Sequence, residues 1–272
     1  MTFEEPTGAG AGPVRIVDRI APARCTHGLP TTYRESVVIV LAGLVVALGA
    51  LVQGTVGFGI ALVSAPLLAI LDPRLVPVPL LVLSGTHALL SLARERGDTD
   101  WRGVGWALVG RLPGTALGVL AVATLPQRKF AILIAGSVLV CAGLSALRWR
   151  LHPTPRTLMV AGLVGGVSGT ASSIGGPPVA LAYQRERGAR IRSTMAAYFT
   201  AGTAMSVLSL AAAGQVRLDG LLTGALLLPF MFAGFLLSSP ARRFLDRGWT
   251  RPAVVGLACT SALVLLAQAL AP

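Results

Sequence analysis

The sequence predicts an all-α polytopic membrane protein of two duplicated halves, with about 8 transmembrane segments and two broken or re-entrant helices. Three observations predict it. The chain is 54% hydrophobic but only 12% charged, about half the charged share of a soluble domain. Its apolar residues fall in eight uncharged windows, 36–71, 75–93, 112–127, 130–147, 157–184, 193–216, 220–241 and 252–272, most of them long enough for one crossing. Two windows carry the same kind of glycine motif about 115 residues apart. Duplicated helix breakers at corresponding positions of two halves are the strongest sequence pointer to a transporter site.

Residues 1–35 mix Gly, Pro, Arg and acidic residues with no long apolar run, and read as a polar N-terminal tail. A short interfacial helix is expected near Arg15–Ile20. No apolar core follows a basic start before residue 36, so a secretory signal is not expected. The first transmembrane repeat is then 36–147, a linker with Pro153 and Pro155 covers 148–156, and the second repeat is 157–272.

Window 36–71 would reach roughly 54 Å as one helix, and window 157–184 roughly 42 Å, at 1.5 Å per residue. Both exceed the hydrocarbon core. Each has its glycine motif near the middle: Gln53-Gly54-Thr55-Val56-Gly57-Phe58-Gly59 with Pro66 beyond it, and Ser168-Gly169-Thr170-Ala171-Ser172-Ser173-Ile174-Gly175-Gly176-Pro177-Pro178. A helix interior is weakened by about 1 kcal/mol per Gly and about 3 per Pro. Each window is therefore expected to break or fold back, rather than tilt as an overlong rod. Freed backbone is tolerated at membrane depth only where protein or a polar cavity satisfies it.

The motif residues are the first site candidates. Helix N-termini suit an anion, and Gln53, Thr55, Ser168, Thr170, Ser172 and Ser173 add neutral donors. Gly54, Gly57, Gly59, Gly169, Gly175 and Gly176 allow close backbone approach, and Pro177 of the second motif is counted with them. Small residues also serve plain helix packing in membranes. His87, in window 75–93, is a candidate proton relay, with a bond to a neighbouring carbonyl as its ordinary alternative. Arg111 is the one charge inside an otherwise apolar stretch. Burying it costs at least about 2.5 kcal/mol, which makes it a substrate-binding candidate unless it snorkels to an interface.

The halves align at an offset of 115 to 117. Gly54-Thr55 falls on Gly169-Thr170, Arg74-Leu75 on Arg190-Ile191, Gly85-Thr86 on Gly202-Thr203, and Leu112-Pro113 on Leu228-Pro229. Gly103 and Gly118 fall on Gly220 and Gly234. The net charge of +12 is almost all arginine, with Lys129 the one lysine. Links 94–102, 148–156, 185–192 and 242–251 hold 14 of the 23 basic residues. They share one side if each long window returns, and the positive-inside rule makes that side cytoplasmic and the halves inverted. Straight crossing of both long windows is the alternative, and would leave the basic residues evenly split. Arginine in such links is topogenic, so nucleic acid is not an expected partner.

Cys25, Cys141 and Cys259 show no metal or disulfide spacing. No metal or other cofactor is expected. There is no HExxH, GxSxG or phosphate-binding loop, so the chain is expected to be neither an enzyme nor an ATPase. Gly165-Gly166-Val167-Ser168-Gly169 looks superficially like a nucleophile loop but lacks a partner histidine.

The glycine run with its following proline, and above all Ser173-Ile174-Gly175-Gly176-Pro177-Pro178, resembles the TauE/SafE sulfite-exporter family of bacterial permeases. Asp100-Trp101-Arg102 and Leu112-Pro113-Gly114-Thr115-Ala116-Leu117-Gly118 resemble that family's loop and glycine-rich third segment. The likeness spans residues 36–270. It implies a multi-pass carrier of the bacterial inner membrane that exports a small sulfur-containing anion, such as sulfite or an organosulfonate, driven by an ion gradient. Two departures stand out. Phe58 and Ile60 replace part of the family's glycine run, and Arg111 stands where a small or apolar residue is usual, which implies an altered or more strongly anion-selective site. The expected partners are the lipid bilayer and a small anionic solute, with a homodimer as a compatible assembly. A passive anion channel, or a membrane-embedded scaffold or enzyme, remains the alternative.

Overall fold

In hydrocarbon a backbone must satisfy its own N–H and C=O groups, and a helix does so within one segment. The described residues are accordingly helical, with no strand among them. The computed structural model describes residues 31–57, 59–95, 98–146, 152–245 and 250–270. Its α-helices are α1 (Thr31–Val56), α2 (Ile60–Leu71), α3 (Val78–Arg94), α4 (Trp101–Thr124), α5 (Gln127–Ala146), α6 (Pro155–Ser172), α7 (Gly176–Ala182), α8 (Gly188–Ala212), α9 (Leu218–Leu245) and α10 (Thr250–Leu270). A 3-10 turn at Pro73–Leu75 joins α2 to α3. Among the described residues, six stretches are long and apolar enough to cross a bilayer: Ser36–Thr55, Pro73–Arg94, Trp101–Thr124, Gln127–Leu144, Gly188–Ala212 and Leu218–Ala241. Shorter apolar helices at Ile60–Leu71 and Val255–Leu270 accompany them, and the chain is a multi-pass membrane protein. The interfacial helix expected at Arg15–Ile20, and Cys25, lie outside the described residues.

Both long windows break at their glycine motif. After α1, Gly57 (φ 97°) and Gly59 (φ 131°) adopt backbone that L side chains rarely enter. The chain reverses there, and α2 runs back along α1, where Ser64 Oγ donates to the Val45 carbonyl at 3.3 Å. In the second half, Ser173 ends α6 in the left-handed region (φ 62°). Its N–H and that of Ile174 turn back onto the Ser168 carbonyl, which serves as a C-cap. The short α7 then returns beside α6.

Two helix pairs approach closely because their contact stripes are glycine. On α4, a Cβ at Gly110 would strike the Met159 carbonyl, one at Gly114 the Leu163 carbonyl, and one at Gly118 the Thr170 side chain. The numbers rise together on both helices, so α4 and α6 run parallel. On α9, a Cβ at Gly234 would strike the Ala47 carbonyl of α1, and Gly43 of α1 faces the Phe230 ring. That pair is parallel too. Thus α4 lies on α6 as α9 lies on α1, while α3 pairs with α8 and α5 with α10. The opposite face of α4 exposes Leu112, Leu117 and Leu120, as a lipid-facing stripe should.

Polar contacts identify one end of the bundle. Arg94 Nη1 donates to Ser239 Oγ (3.1 Å), Arg192 pairs with Glu95 (2.8 Å), and Tyr183 donates to Asp100 (2.8 Å). These tie the end of α3, the starts of α4 and α8, the end of α7 and the last turns of α9 together. Parallel packing on α4 brings the start of α6 to the same end. At least one helix terminus beside each of the four Arg-rich links therefore lies at this end.

Candidate functional site

The two helix breaks meet. A cavity of about 10 Å³, room for one water, lies between the start of α2 (Gly59, Ile60) and the turn into α7 (Ser173 to Pro177). Ser84 of α3 and Phe199 of α8 close it. Gly176 sits where a Cβ would strike the Phe199 ring. Ser84 Oγ is buried without a hydrogen-bond partner, and Ser173 Oγ donates to the Pro77 carbonyl at 3.4 Å. In this conformation the cavity is too small for a solute with several heavy atoms.

At the first break a closed hydrogen-bond chain links α1, α2 and α3. His87, fully buried on α3, places Nε2 3.0 Å from the Ala50 carbonyl and Nδ1 3.1 Å from Gln53 Nε2. A carbonyl only accepts, so Nε2 carries the proton and donates. Nδ1 then accepts from the Gln53 amide, which fixes the tautomer and the Gln53 orientation together. Gln53 Oε1 in turn accepts from Ile60 N at 3.0 Å, capping α2. The Phe235 ring packs edge-on to His87 at 5.1 Å and face-on to the Arg94 guanidinium at 4.3 Å.

The second break surrounds a charge. Arg111 is 2% exposed, on the α4 face that includes Gly110, Gly114 and Thr115. The same face places it inward, not snorkelling. A Cβ at Gly169 would lie 2.7 Å from its Nη2, one at Gly175 2.9 Å from Nη1, and one at Gly202 2.6 Å from Cζ. Three glycines from α6, α8 and the α6–α7 turn thus make the space that the guanidinium fills. Nη2 donates to Ser206 Oγ (3.2 Å). Ser206 donates to the Gly202 carbonyl (3.0 Å) and so accepts from Thr170 Oγ1 (2.8 Å). The Tyr198 ring lies 5.1 Å from the guanidinium carbon. Arg111 Nε and Nη1, Tyr198 Oη and Thr115 Oγ1 are buried without a hydrogen-bond partner. None of the ion pairs among the described residues involves Arg111.

A second crevice, also about 10 Å³, is lined by Gln53, Gly54 and Gly57 of the first motif, by Ser91, and by the Glu95–Arg192 pair. Gln53 borders both cavities. Arg192 donates through Nε to both Glu95 oxygens at 2.8 and 2.9 Å. Nearby, burial first and then the Asp100 carboxylate push the Tyr183 phenol upward, so that it stays a donor.

The candidate residues separate into groups by what they touch. Gln53, Gly59, Ser173, Gly175, Gly176 and Pro177 line the shared cavity. Thr170, Gly169 and Gly175 surround Arg111. His87 belongs to the Gln53 network. Gly54 is taken by packing on Ser238, and Gly57 by the turn and by Arg192. Thr55, Ser168 and Ser172 donate to carbonyls of their own helices. The sequence reading missed Ser84, Tyr198, Phe199 and Ser206, and the Glu95–Arg192 pair. One signal was available: Tyr198, Gly202 and Ser206 recur every fourth residue, which puts them on one face of a helix.

The family model described as "Sulfite exporter TauE/SafE" matches residues 41–265. Among curated proteins, the "Probable sulfite/organosulfonate exporter TauE" of Cupriavidus necator is 26% identical over 227 residues, covering 78% of this chain and 86% of that protein. No solved structure matches.

Proposed function

The chain belongs to the TauE/SafE sulfite exporter family, and from that premise we propose that it is a secondary carrier of a small sulfur-containing anion. Sulfite and organosulfonates are the candidate solutes, by likeness to the relative named for them. The observation that carries the proposal is convergence. Two helix breaks, over 100 residues apart in sequence, border one cavity, and a buried guanidinium packs against Gly175 in its wall. Broken helices that meet at mid-depth between two repeats are the common plan of ion-coupled carriers.

The matched pairing of α4 on α6 and α9 on α1 supports two inverted repeats, 36–147 and 157–272. Gathering of the Arg-rich link termini at one end supports a cytoplasmic location for that end, in a bacterial inner membrane. From there the solute would reach Gln53 past the Glu95–Arg192 pair, and the carrier would release it on the other side. Without a nucleotide-binding motif in the chain, an ion gradient is the proposed driving force, and the direction is export. Transport, not catalysis, is the proposed role.

The test is uptake of labelled sulfite, methanesulfonate and sulfate into proteoliposomes that hold the purified chain, with and without an imposed pH gradient. Saturable, gradient-accelerated flux of at least one sulfur anion is expected. Flux equal to that of protein-free vesicles for all three would remove the proposal, and flux linear in concentration without gradient dependence would favour a passive channel.

A further inference from the structure

We infer that the Arg111 cluster is an anion-binding site that takes a singly charged oxyanion and rejects doubly charged ones. The inference rests on the carrier reading above and names the charge of what is carried. Its starting point is a buried charge that faces the Tyr198 ring but that no carboxylate among the described residues offsets. Arg111 is 2% exposed, and its side chain is a guanidinium cation. Its one protein hydrogen bond goes to the neutral hydroxyl of Ser206. A buried cation is tolerated when paired and hydrogen-bonded, and is costly otherwise.

The other cations near the motifs are differently placed. Arg192 is paired with Glu95 at the end of the α3–α8 contact. Arg94 stacks on Phe235 and reaches Ser239, partly exposed. Neither enters the glycine space that holds Arg111.

The surrounding groups suit an oxyanion. Nε and Nη1 form two of the fork's donors, and both are without a partner, as are Tyr198 Oη and Thr115 Oγ1. All four can donate. Tyr198 Oη lies 2.6 Å from where a Cβ on Gly165 would sit, and that same Cβ would lie 2.6 Å from the Gly175 carbonyl. The phenol and Nη1 therefore both border the Gly165–Gly175 contact. Gly175 also lines the cavity between the two breaks. A modest outward shift of the α6–α7 turn would join that cavity to the guanidinium.

One cation neutralises one negative charge. A sulfonate or bisulfite brings one and leaves the site neutral. Sulfate, or fully ionised sulfite, would leave a net negative charge in surroundings where the described residues place no second cation. Desolvation of that excess charge is the basis of the selectivity.

Equilibrium binding to the full chain in nanodiscs of uncharged lipid at pH 7 tests this, with labelled methanesulfonate as the probe. Unlabelled methanesulfonate and sulfate serve as competitors. Sulfate is expected to compete at least about tenfold more weakly, because its second charge has no counterion. Arg111→Met should abolish saturable binding. Arg111→Lys should keep the preference for one charge at lower affinity, since it keeps the charge and loses the fork. Tyr198→Phe should weaken binding several-fold without altering the preference. Sulfate competing as well as methanesulfonate, full binding by Arg111→Met, or no saturable methanesulfonate binding by the wild-type chain would each overturn the inference. The wild-type competition decides even if Arg111→Met does not fold. Gradient-driven flux of unchanged selectivity in Arg111→Met sinks the inference and spares the carrier. Selective binding without flux of any sulfur anion does the reverse.

Discussion

At the first helix break, Gln53 and His87 bond to each other, to the Ala50 carbonyl and to the N–H that opens α2. At the second, Arg111 Nε and Nη1, Tyr198 Oη and Thr115 Oγ1 have no hydrogen-bond partner. The two motifs share glycine content and both reverse the chain, yet one region is closed by its own polar groups and the other is left open. Laid over each other at the offset of the proposed repeat, His87 falls on Ala204. Arg111 falls on Leu227, Tyr198 on Leu81, Ser206 on Leu89 and Thr115 on Met231. The polar residues that distinguish the regions are thus not duplicated. A repeated motif supplies two breaks. What each break does is decided by the side chains that α3, α4 and α8 bring to it.

The largest expected effect comes from filling the open region. A Cβ at Gly175 already falls 2.8 Å from the Gly165 carbonyl and 2.9 Å from Arg111 Nη1. Gly175→Leu must displace the turn or the guanidinium, and overpacking of that kind costs about 1–3 kcal/mol or more. Flux and methanesulfonate binding should both vanish, with a clear drop in melting temperature. Wild-type binding by this variant would mean that the solute never approaches the turn.

Next come two substitutions with opposite signs. His87→Leu removes the acceptor for the buried Gln53 amide, and a buried donor left unpaired costs about 1–3 kcal/mol. Arg111→Met removes a buried charge that no carboxylate among the described residues offsets, and the cost of its desolvation goes with it. The melting temperature should fall for His87→Leu and hold or rise for Arg111→Met, while anion binding should show the reverse pattern. A larger loss of stability in Arg111→Met than in His87→Leu would cancel the distinction between the regions.

A smaller effect is expected at the entrance. The Glu95–Arg192 pair is partly exposed, so Glu95→Gln should change stability by no more than about 1 kcal/mol. Ala196 lines the crevice behind the pair. Labelling of an Ala196→Cys probe by a water-soluble maleimide, measured over the native cysteine background, should speed up when Glu95→Gln is added. An unchanged labelling rate would mean that the pair does not hold the α3–α8 end closed.

The helical membrane architecture was legible because hydrocarbon demands long apolar runs, and the two breaks because glycine and proline resist a helix interior. Isolation of Arg111 in an apolar stretch left two readings, inward placement or snorkelling, and only the fold decides for the first. Its surroundings were not legible. Gly202 and Ser206 lie about 95 residues further on, and only folding shows that the guanidinium fills a space made by three glycines. Pairing of His87 with Gln53 across 34 residues was hidden for the same reason, as was the ion pair between Glu95 and Arg192. Hydroxyl content misled in the other direction. A serine or threonine in an apolar window reads as a solute contact, but the helix itself offers it a carbonyl one turn back.

That local competition defines the smallest expected effect. Thr55 Oγ1 donates to Val52 (2.8 Å), Ser168 Oγ to Val164 (2.9 Å) and Ser172 Oγ to Ser168 (2.7 Å), all carbonyls of their own helices. Replacing each by alanine frees a carbonyl that keeps its helical N–H partner and removes no contact to Arg111, so stability should fall by no more than the roughly 1 kcal/mol of one hydrogen bond. Flux and binding should stay at wild-type level. Thr170 is the control within the same motif, because its hydroxyl bonds Ser206 and through it the guanidinium. Thr170→Ala should weaken methanesulfonate binding measurably where Ser168→Ala and Ser172→Ala do not. Equal losses in all three would mean that the motif's hydroxyls turn toward the solute together when the cavity opens, and the open region would then extend along the whole end of α6.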